Sequence, residues 1–310
     1  MKIILAPMEG VVDHAMRELL TAGGDYDLCI TEFVRVVDQA YKPAYFHKIS
    51  PELRQGGTTR AGTPVRIQLL GQHPQWMAEN AVTAAALGSP GVDLNFGCPA
   101  KTVNRHKGGA VLLKEPESLY QIVRAVRAAV PAAVSVSAKM RLGYETADLA
   151  NDCARAIEAA GADMLTVHAR TKVEGYRPPA HWHVIDDIRQ QVAIPVIANG
   201  DIWSRADAEA CRRISGCDDI MIGRGGLSLP NLAATIRRDK APQSWAKTCD
   251  LLIRYAVFNR DKYQRGYLPS RIKQWFSYLK RQYPEAPPLF EKIKRLRDVA
   301  EMIEVIRRER

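Results

Sequence analysis

The sequence lacks the features that mark secreted proteins, membrane proteins and zinc-binding domains. Its six cysteines are scattered, with no Cys-x-x-Cys pair, which argues against a disulfide framework and against a zinc site. No apolar run is long enough to span a bilayer. The first residues, Met-Lys-Ile-Ile-Leu-Ala-Pro, form too short an apolar run for a signal peptide. These absences predict a protein of the reducing cytoplasm, with no membrane segment and no metal site.

The positive charge of the chain is concentrated near its end. The 310 residues carry a formal net charge of +10. Residues 245–310 hold 16 lysines and arginines against 8 aspartates and glutamates, whereas residues 1–244 hold 28 against 26. Such asymmetry favours an acidic partner, either a nucleic acid or an anionic membrane. A solvated basic helical surface explains the charge alone equally well.

Eight short apolar runs recur through the first 225 residues, and most of them precede an amphipathic helical pattern. Runs that are apolar on both faces and alternate with helices are typical of a parallel sheet covered by helices. Eight such units favour a closed (β/α)8 TIM barrel over an open doubly wound sheet. The second unit is the least regular, with a long loop predicted from Asp38 to Pro64. The predicted strands are Ile3–Met8, Leu28–Thr31, Val65–Leu70, Val92–Phe96, Val134–Met140, Met164–His168, Pro195–Ala198 and Ile220–Ile222, and the clearest helices are Pro74–Leu87, Pro116–Val130, Ala147–Ala160 and Ser204–Ile214.

From Trp245 onward the pattern is helical only. Apolar residues fall at helical spacing between Ile272 and Tyr283 and again between Phe290 and Ile303, and prolines separate the two stretches. The aromatic residues on these stripes fit a core better than a binding surface. We therefore predict two domains, a barrel over residues 1–244 and a small, basic, all-helical domain over residues 245–310.

Polar side chains follow every predicted strand, at the end where a barrel of this kind carries its active site. Core packing does not explain polar residues at so many strand ends, so we predict one active site at the mouth of the barrel. In strand order, the polar residues and turns are Glu9, Glu32 with Arg35, Gln68, Asn95 with Cys98, Lys139 with Arg141, His168 with Arg170, Asn199-Gly200-Asp201, and Gly223-Arg224-Gly225.

The last two strands are followed by glycine-containing turns, which place backbone N–H groups where such barrels commonly hold a phosphate. Arg224 adds a positive charge to this end of the site. Lys139 and His168 are predicted at the same mouth. A lysine there either forms a Schiff base, as in aldolases, or stabilises an anionic reduced flavin. A histidine there either contacts a cofactor or is a hydrogen-bonded internal residue.

Eight short motifs at the predicted strand ends form a combination that is specific although each piece alone is not. They are Ala6-Pro-Met-Glu-Gly10, Glu32-Phe-Val-Arg35, Gln68-Leu-Leu-Gly71, Asn95-Phe-Gly-Cys-Pro99, Lys139-Met-Arg141, Val167-His-Ala-Arg-Thr171, Ala198-Asn-Gly200 and Met221-Ile-Gly-Arg224. This combination resembles the tRNA-dihydrouridine synthases over the whole chain, and its details are similar to the bacterial C subfamily. The resemblance implies an FMN-dependent enzyme, with NADPH as the electron donor, that reduces a uridine in the D-loop of tRNA, at position 16.

The resemblance also implies a role for individual residues. Cys98 matches the proton donor. The positions that match contacts of the flavin ring are Pro7, Met8, Glu9, Gln68, Lys139 and His168, and those that match contacts of the ribityl phosphate are Asn199, Gly200, Asp201, Gly223 and Arg224. The positions that match contacts of tRNA are Arg35, Asn95, Tyr176, Arg271, Lys273, Tyr278 and Lys294.

Cys98 lies on a glycine–proline turn at the exit of an apolar run, whereas a cysteine that only fills space would lie within the run. Reduction of the C5–C6 bond of uracil needs a hydride at C6 and a proton at C5. A thiol with an ordinary pKa of about 8.5 is protonated at neutral pH and can act as a general acid. We expect Lys101, Arg105 and Lys107 to lower this pKa unless Cys98 is screened from them. The other five cysteines are assigned to packing.

Two positions depart from what the resemblance leads us to expect. Phe96 stands where a smaller residue is expected. Arg105-His106-Lys107 stands where a loop richer in glycine is expected. Neither change removes a reacting group, but both bear on the shape of the uracil pocket.

Three alternative functions remain on the sequence alone. A flavin barrel that acts on a small molecule shares the FMN motifs but leaves the basic C-terminal region unexplained. A lysine-dependent aldolase would use Lys139 and bind no flavin. A tRNA-binding module without catalysis would have no need of both Cys98 and Lys139. No Gly-x-Gly-x-x-Gly motif for a separate dinucleotide site is present, and the basic face favours a monomer that binds the tRNA elbow.

The charge asymmetry generates the first testable prediction. If basic residues neutralise tRNA phosphates, raising the salt from about 50 to about 200 mM weakens tRNA binding roughly tenfold to a hundredfold. Retention of FMN should hardly change, because the cofactor is held inside the barrel. Filter binding at several salt concentrations measures the first quantity and flavin absorbance after desalting the second. A flat response of tRNA affinity would contradict the assignment.

Overall fold

The computed structural model describes residues 1–260 and 267–310, so six residues of the predicted C-terminal domain lie outside the described ranges. Eight parallel strands form a closed barrel in sequence order, and the last strand pairs with the first. This confirms the predicted (β/α)8 fold. The strands are β1 (Ile3–Leu5), β2 (Leu28–Arg35), β3 (Val65–Leu70), β4 (Gly91–Phe96), β5 (Ser135–Arg141), β6 (Met164–His168), β7 (Val196–Asn199) and β8 (Ile220–Ile222).

The predicted strands agree with the structure to within one residue at each end, except at two ends near the active site. The first strand stops at Leu5 rather than Met8, because Pro7 has no N–H with which to continue the ladder. The second strand continues past Thr31 to Arg35, with a shift of its register against β3 between Ile30 and Phe33. Such an irregularity redirects the side chains that follow it.

Helices cover the outside of the barrel. The longer ones bury an apolar stripe, as α5 does with Leu119, Ile122, Val123 and Val126. None of the helices within residues 1–260 and 267–310 is long and apolar enough to cross a membrane. The barrel helices are α1 (His14–Thr21), α2 (Pro43–Ile49), α3 (Pro74–Ala86), α4 (Lys101–Arg105), α5 (Pro116–Ala129), α6 (Ala150–Ala159), α7 (Trp182–Arg189), α8 (Arg205–Ser215), α9 (Arg224–Ser228) and α10 (Leu232–Arg238).

The segment from Asp38 to Pro64, predicted as a loop, contains helix α2 and a 3₁₀ helix, Pro51–Gln55. Pro43 and Pro51 start these two elements, and the buried Phe46 and Leu53 anchor them to the core. Proline is favoured in the first turn of a helix because its missing N–H has no partner there. The segment was predicted as a loop because each of these short elements buries a single apolar residue, too few to produce a periodic apolar pattern in the sequence.

The described residues of the C-terminal region form helices joined by short loops, with no strand, and the helices outnumber the two stretches predicted from the sequence. The second stretch is split between α13 and α14, because Asp298 caps a new helix by accepting a hydrogen bond from the Glu301 N–H. The helices are α11 (Trp245–Phe258), α12 (Tyr267–Leu279), α13 (Ala286–Ile293) and α14 (Val299–Arg308). The division into domains at residues 244 and 245 stays a prediction.

One buried carboxylate joins the C-terminal helices to the barrel. Asp13 caps α1 by accepting a hydrogen bond from the Met16 N–H at 2.8 Å. Its second oxygen accepts one from the Tyr255 hydroxyl on α11 at 2.8 Å and one from the Arg271 guanidinium on α12 at 3.2 Å. Arg271 also donates to the Val11 carbonyl at 2.9 Å. The helical region is therefore fixed against the loop that follows β1, at the mouth of the barrel.

We predict that Arg271→Met destabilises the protein by about 2 kcal/mol, because it removes the hydrogen bonds that the buried Arg271 guanidinium donates to Asp13 and to the Val11 carbonyl. The free energy of unfolding in urea measures the effect. Arg295→Met, at an exposed position of the same region, is the matched control and should change stability by less than about 0.5 kcal/mol. Equal stabilities of the two variants would show that the contact between Asp13 and Arg271 does not hold the helices in place.

Candidate active site

A cavity of about 480 Å³ opens at the carboxyl ends of the strands. Cys98 and all eleven residues predicted to bind the cofactor line it, so the structure brings together what the sequence scatters over more than 200 positions. Of the residues predicted to contact tRNA, Asn95, Tyr176 and Tyr278 also line it. The part each residue plays stays a prediction. The cofactor residues in the lining are Pro7, Met8, Glu9, Gln68, Lys139, His168, Asn199, Gly200, Asp201, Gly223 and Arg224.

The turn that carries Cys98 is held at both ends. The Cys98 N–H donates to Oδ1 of Asn95 at 2.9 Å. The Cys98 carbonyl accepts from the Asn104 side chain at 2.9 Å and from the Ala110 N–H at 3.1 Å. Gly109 permits this approach, since a Cβ there would lie 2.8 Å from the Cys98 carbonyl oxygen and its φ is +67°. The position of the thiol is thus fixed by backbone contacts.

Burial raises the pKa of the Cys98 thiol above its ordinary value, and the negative charge of Glu9 adds to this effect. A hydrogen bond from the Ala100 N–H and the charges of Arg141 and Arg35 act in the opposite direction. Lys101, Arg105 and Lys107 are exposed to solvent and are not among the charges that act on the pKa of Cys98, so the thiol is screened from them, as was expected of a proton donor. The thiol is therefore protonated at neutral pH, as a proton donor requires.

Gln68 and Asn95 are linked to each other rather than free in the cavity. Nδ2 of Asn95 donates to Oε1 of Gln68 at 2.7 Å, and Oδ1 of Asn95 accepts from the N–H groups of Gly97 and Cys98. Gln68 is fully buried although it contributes to the wall of the cavity. Both amides can still offer one N–H to a ligand, but their orientation is set by the protein.

Burial lowers the pKa values of both Lys139 and His168, and the two side chains differ in charge at neutral pH. Burial and the charge of Arg141 lower the pKa of Lys139 to about 8, so the ammonium group still predominates at pH 7. Its Nζ donates to Oδ1 of Asn199 at 3.1 Å. Burial, together with the positive charges of Arg141 and Lys139, lowers the pKa of His168 well below its ordinary value, which keeps the imidazole neutral. Lys139 supplies charge at this wall, whereas His168 supplies a neutral polar edge.

The end of the cavity that is predicted to bind a phosphate, beside the turns after β7 and β8, contains two arginines bonded to one aspartate. Asp201 accepts hydrogen bonds from Arg170 and from Arg224, the latter at 3.1 Å. The Arg224 guanidinium also lies over the rings of Tyr176 and Trp203, 4.6 and 4.9 Å from their centroids. Two guanidinium groups against one carboxylate leave a net positive charge at this end.

Glycines form the wall next to this charge. A Cβ on Gly225 would come within 2.0 Å of the Ile202 carbonyl oxygen, so only glycine lets the loops after β7 and β8 approach each other. Arg224 begins helix α9, whose first N–H groups have no acceptor within the helix. The cavity thus offers N–H groups and positive charge at one end and Lys139, Asn199 and neutral His168 in the middle. These donors and charges fit the phosphate and the ring of the flavin that the resemblance implies.

The remaining residues predicted to contact tRNA lie outside the cavity. Arg35 is half-buried close enough to Cys98 to influence its pKa, and Lys294 is exposed and paired with Glu291. Lys273 donates to the Leu296 carbonyl at 2.6 Å. Arg271 is only 7% exposed and has an internal role through its contacts with Val11 and Asp13, and its predicted contact with RNA stays a prediction.

Sequence reasoning missed two residues that shape the site. Arg141 is buried and donates to the carbonyls of Gly97, Thr171 and Gly175, which braces the loops after β4 and β6. Its signal was the Lys139-Met-Arg141 motif, in which only the lysine received a role. Trp203 lies between Arg224 and Arg281, whose guanidinium is 4.1 Å from the ring centroid. A single tryptophan after Asp201 gave no signal in the sequence.

The two unexpected positions do not alter the cavity. Phe96 is fully buried in the hydrophobic core and lies outside the cavity lining. Lys107 has a φ of +53°, the left-handed region that glycine usually occupies, which explains why a glycine-rich loop was expected there. Residues 105–107 are exposed and lie outside the lining.

Comparison with known sequences gives a consistent result. The model of the dihydrouridine synthase (Dus) family matches residues 4–305. The tRNA-dihydrouridine(16) synthase of Shewanella oneidensis is 55% identical over 306 residues, which cover 99% of this chain and 97% of the relative. The tRNA-dihydrouridine(16) synthase of Vibrio cholerae is 50% identical over 311 residues, which cover 100% of this chain and 96% of the relative.

Comparison with solved structures supports the barrel. Morphinone reductase in complex with tetrahydroNAD superposes with a TM-score of 0.52 at 14% identity, over 78% of this chain and 88% of that one. A 2-naphthoyl-CoA reductase complex superposes with a TM-score of 0.59 at 13% identity, over 77% of this chain and 50% of that one. At such low identity these similarities establish the fold alone.

The electrostatics of the cavity predict a pH dependence for the reactivity of Cys98. Because burial raises the pKa of Cys98 above the ordinary value of a thiol, alkylation by iodoacetamide should be slow at pH 7.5 and should still accelerate about tenfold per pH unit beyond about pH 8.5, where an ordinary thiol levels off. The other five cysteines are buried and should react only after unfolding. Mass spectrometry of peptides quenched at intervals gives the rate for each cysteine. A rate that levels off below pH 8 would contradict the assignment.

Proposed function

The chain belongs to the dihydrouridine synthase family, and on that premise we propose that the cavity at the barrel mouth reduces one uridine of tRNA to 5,6-dihydrouridine. The observation that carries this proposal is the position of Cys98. A protonated thiol with a raised pKa is held rigidly in the same cavity as a set of cationic and amide groups that suit a flavin. Reduction of uracil requires both a proton donor and a source of hydride on one substrate.

Cys98 carries the proton to the substrate. When bound, FMN would supply the hydride that C6 of the uracil receives, having been reduced by NADPH. The Cys98 thiol gives its proton to C5, and the S–H bond breaks as the C5–H bond forms. The thiolate that remains is then reprotonated from solvent. The raised pKa of Cys98 favours this recovery at neutral pH.

The flavin would be held by the residues that the resemblance named. Lys139 places a positive charge in the wall and is itself oriented by Asn199, which favours an anionic ring. Arg224 and the glycine-rich turns after β7 and β8 would bind the phosphate. Pro7, Met8, Glu9, Gln68 and His168 would border the ring.

The substrate would be recognised in two parts. The basic C-terminal helices would bind phosphates of the folded tRNA, and the target uridine would turn out of its stack to enter the cavity. Arg35, Lys273 and Lys294 are the proposed cationic contacts, whereas Tyr176, which is 54% exposed, and Tyr278 offer aromatic surfaces at the mouth. The relatives from Shewanella and Vibrio are named for position 16, and we propose the same D-loop uridine here.

The family assignment argues against the alternative functions considered from the sequence. A Schiff-base aldolase has no use for a rigidly held, protonated Cys98 in the same cavity as Lys139. A small-molecule flavoenzyme leaves the basic C-terminal helices without a role. We further propose a monomer that acts in the cytoplasm, where the six free cysteines would stay reduced.

Replacement of the proton donor tests the proposal. Cys98→Ala should lower the rate of dihydrouridine formation at least about a hundredfold, because removal of a general acid typically costs two to four orders of magnitude. The affinity for tRNA should change by less than about twofold, since binding rests on phosphate contacts. Nuclease digestion and mass spectrometry of unmodified tRNA incubated with enzyme and NADPH measure the product.

Cys153→Ala is the matched control, because Cys153 is buried on α6 and does not line the cavity. It should form dihydrouridine at close to the unmodified rate. Full activity of Cys98→Ala would remove Cys98 from the reaction. Wild-type protein that forms no dihydrouridine in any tRNA would contradict the proposed function.

A further inference from the structure

Two chains of hydrogen bonds meet at one buried carboxylate behind the Cys98 turn. Asp93, on β4, has no exposed surface. On one side Arg66 donates to Oγ of Ser137 at 2.8 Å, and the Ser137 hydroxyl donates to Oδ1 of Asp93 at 2.5 Å. On the other side Nε2 of Gln68 donates to Oδ2 of Asp93 at 2.7 Å. The mechanism described above makes no use of Asp93, Ser137 or Arg66.

The direction of every bond in this network is determined. The N–H groups of Gly97 and Cys98 donate to Asn95, so the atom that receives them must be the oxygen of its amide. Its nitrogen must then face Gln68, and the Gln68 nitrogen must in turn face Asp93. A carboxylate accepts from both sides, which no amide at position 93 could do. The network therefore keeps one orientation of each amide.

This orientation decides what Asn95 can offer to a ligand. Both acceptor sites of Oδ1 are occupied by backbone N–H groups, and one Nδ2 hydrogen is bonded to Gln68. Among residues 1–260 and 267–310, no protein acceptor takes the second hydrogen. Asn95 lines the cavity and thus presents a hydrogen-bond donor to it, with no acceptor.

A donor at this place distinguishes uracil from cytosine. Cys98 gives its proton to C5, and C4 is bonded to C5, whereas C2 lies on the far side of the ring. Because Asn95 accepts a hydrogen bond from the Cys98 backbone, its donor would face the C4 substituent of a base placed for protonation at C5, rather than O2. That substituent is an accepting carbonyl in uracil and a donating amino group in cytosine, so cytosine brings two donors together.

We propose that Asp93 is a positioning residue that holds Gln68 and Asn95 in one amide orientation and thereby selects a base with an acceptor at C4. The selection of the base rests on the proposed function, whereas the effect on the Cys98 turn does not. Ser137 and Arg66 support Asp93 from the opposite side.

The test compares binding of two unmodified tRNA transcripts that carry uridine or cytidine at the position the enzyme modifies. Measured with oxidised FMN-bound protein and no NADPH, neither tRNA is turned over. Wild-type protein should prefer the uridine form about tenfold, the effect of one favourable hydrogen bond against one mismatch. Asp93→Ala should reduce this preference below about threefold. Asp93→Asn, whose oxygen can still accept from Gln68, should lie between the two.

Thr166→Val is the matched control. Thr166 is a fully buried residue of β6, two strands away from Asp93 in the barrel, and its hydroxyl makes no hydrogen bond to the described residues. This variant should keep the wild-type preference for uridine. A variant that only loosens the fold would weaken binding of both tRNAs equally and leave their ratio unchanged, which would overturn the proposal. A wild-type ratio near one would overturn it too, without touching the proposed reduction of uridine.

A second measurement needs neither tRNA nor turnover. If the network holds the Cys98 turn, Asp93→Ala should speed the alkylation of Cys98 at pH 8 at least threefold, and Thr166→Val should not. Should Asp93→Ala fail to fold, Asp93→Asn serves in both measurements, with a smaller increase expected. Unchanged alkylation together with an unchanged tRNA ratio in Asp93→Asn and Asp93→Ala would show that Asp93 serves the fold alone.

Discussion

Every strand of a closed parallel barrel ends at the same rim. Here many of the polar side chains at or near that rim are buried, out of contact with water. Asp93, Gln68, Asn199 and Arg170 are all buried there. A buried polar group without a partner is costly, so these residues bond to one another and take fixed orientations. The site is rigid because the fold buries it, and the chemistry that we propose depends on that rigidity.

Burial also resolves the conflict between binding an anion and keeping a thiol protonated. Lys139, Arg141 and Arg224 make the cavity electropositive, which by itself would lower the pKa of Cys98. Loss of solvation acts in the other direction and prevails at Cys98. At His168 burial and positive charge act together, so the imidazole stays neutral. The same two causes thus produce a proton donor and a neutral polar contact within one cavity.

Much of the fold and of the cavity could be predicted from the sequence. The β3, β6 and β8 strands were predicted to the residue, because buried parallel strands appear as continuous apolar runs. The residues at the strand ends were found because the barrel topology determines where they meet. Partners that depend on distance in space could not be found in this way, such as Asp13 with Arg271 or the arginines on either side of Asp201.

The charges around the site show the same limit. The predicted contact of Arg271 with RNA came from the family resemblance, and only the packed structure reveals that Arg271 also bonds to the buried Asp13. Lys101, Arg105 and Lys107 were expected to lower the pKa of Cys98 unless the thiol is screened from them, and all three are exposed to water, where charges are screened. The cations that do lower this pKa, Arg141 and Arg35, come from the strands β5 and β2.

The central claim is that reduced FMN and Cys98 act together on a uridine of tRNA within this cavity. The most direct test is anaerobic: FMN-bound protein is reduced with NADPH, tRNA lacking dihydrouridine is added, and the absorbance of oxidised flavin is followed. The account predicts re-oxidation of the flavin that requires tRNA and yields one dihydrouridine for each flavin re-oxidised. A reduced flavin that does not respond to tRNA, or a protein that cannot bind FMN, would contradict it.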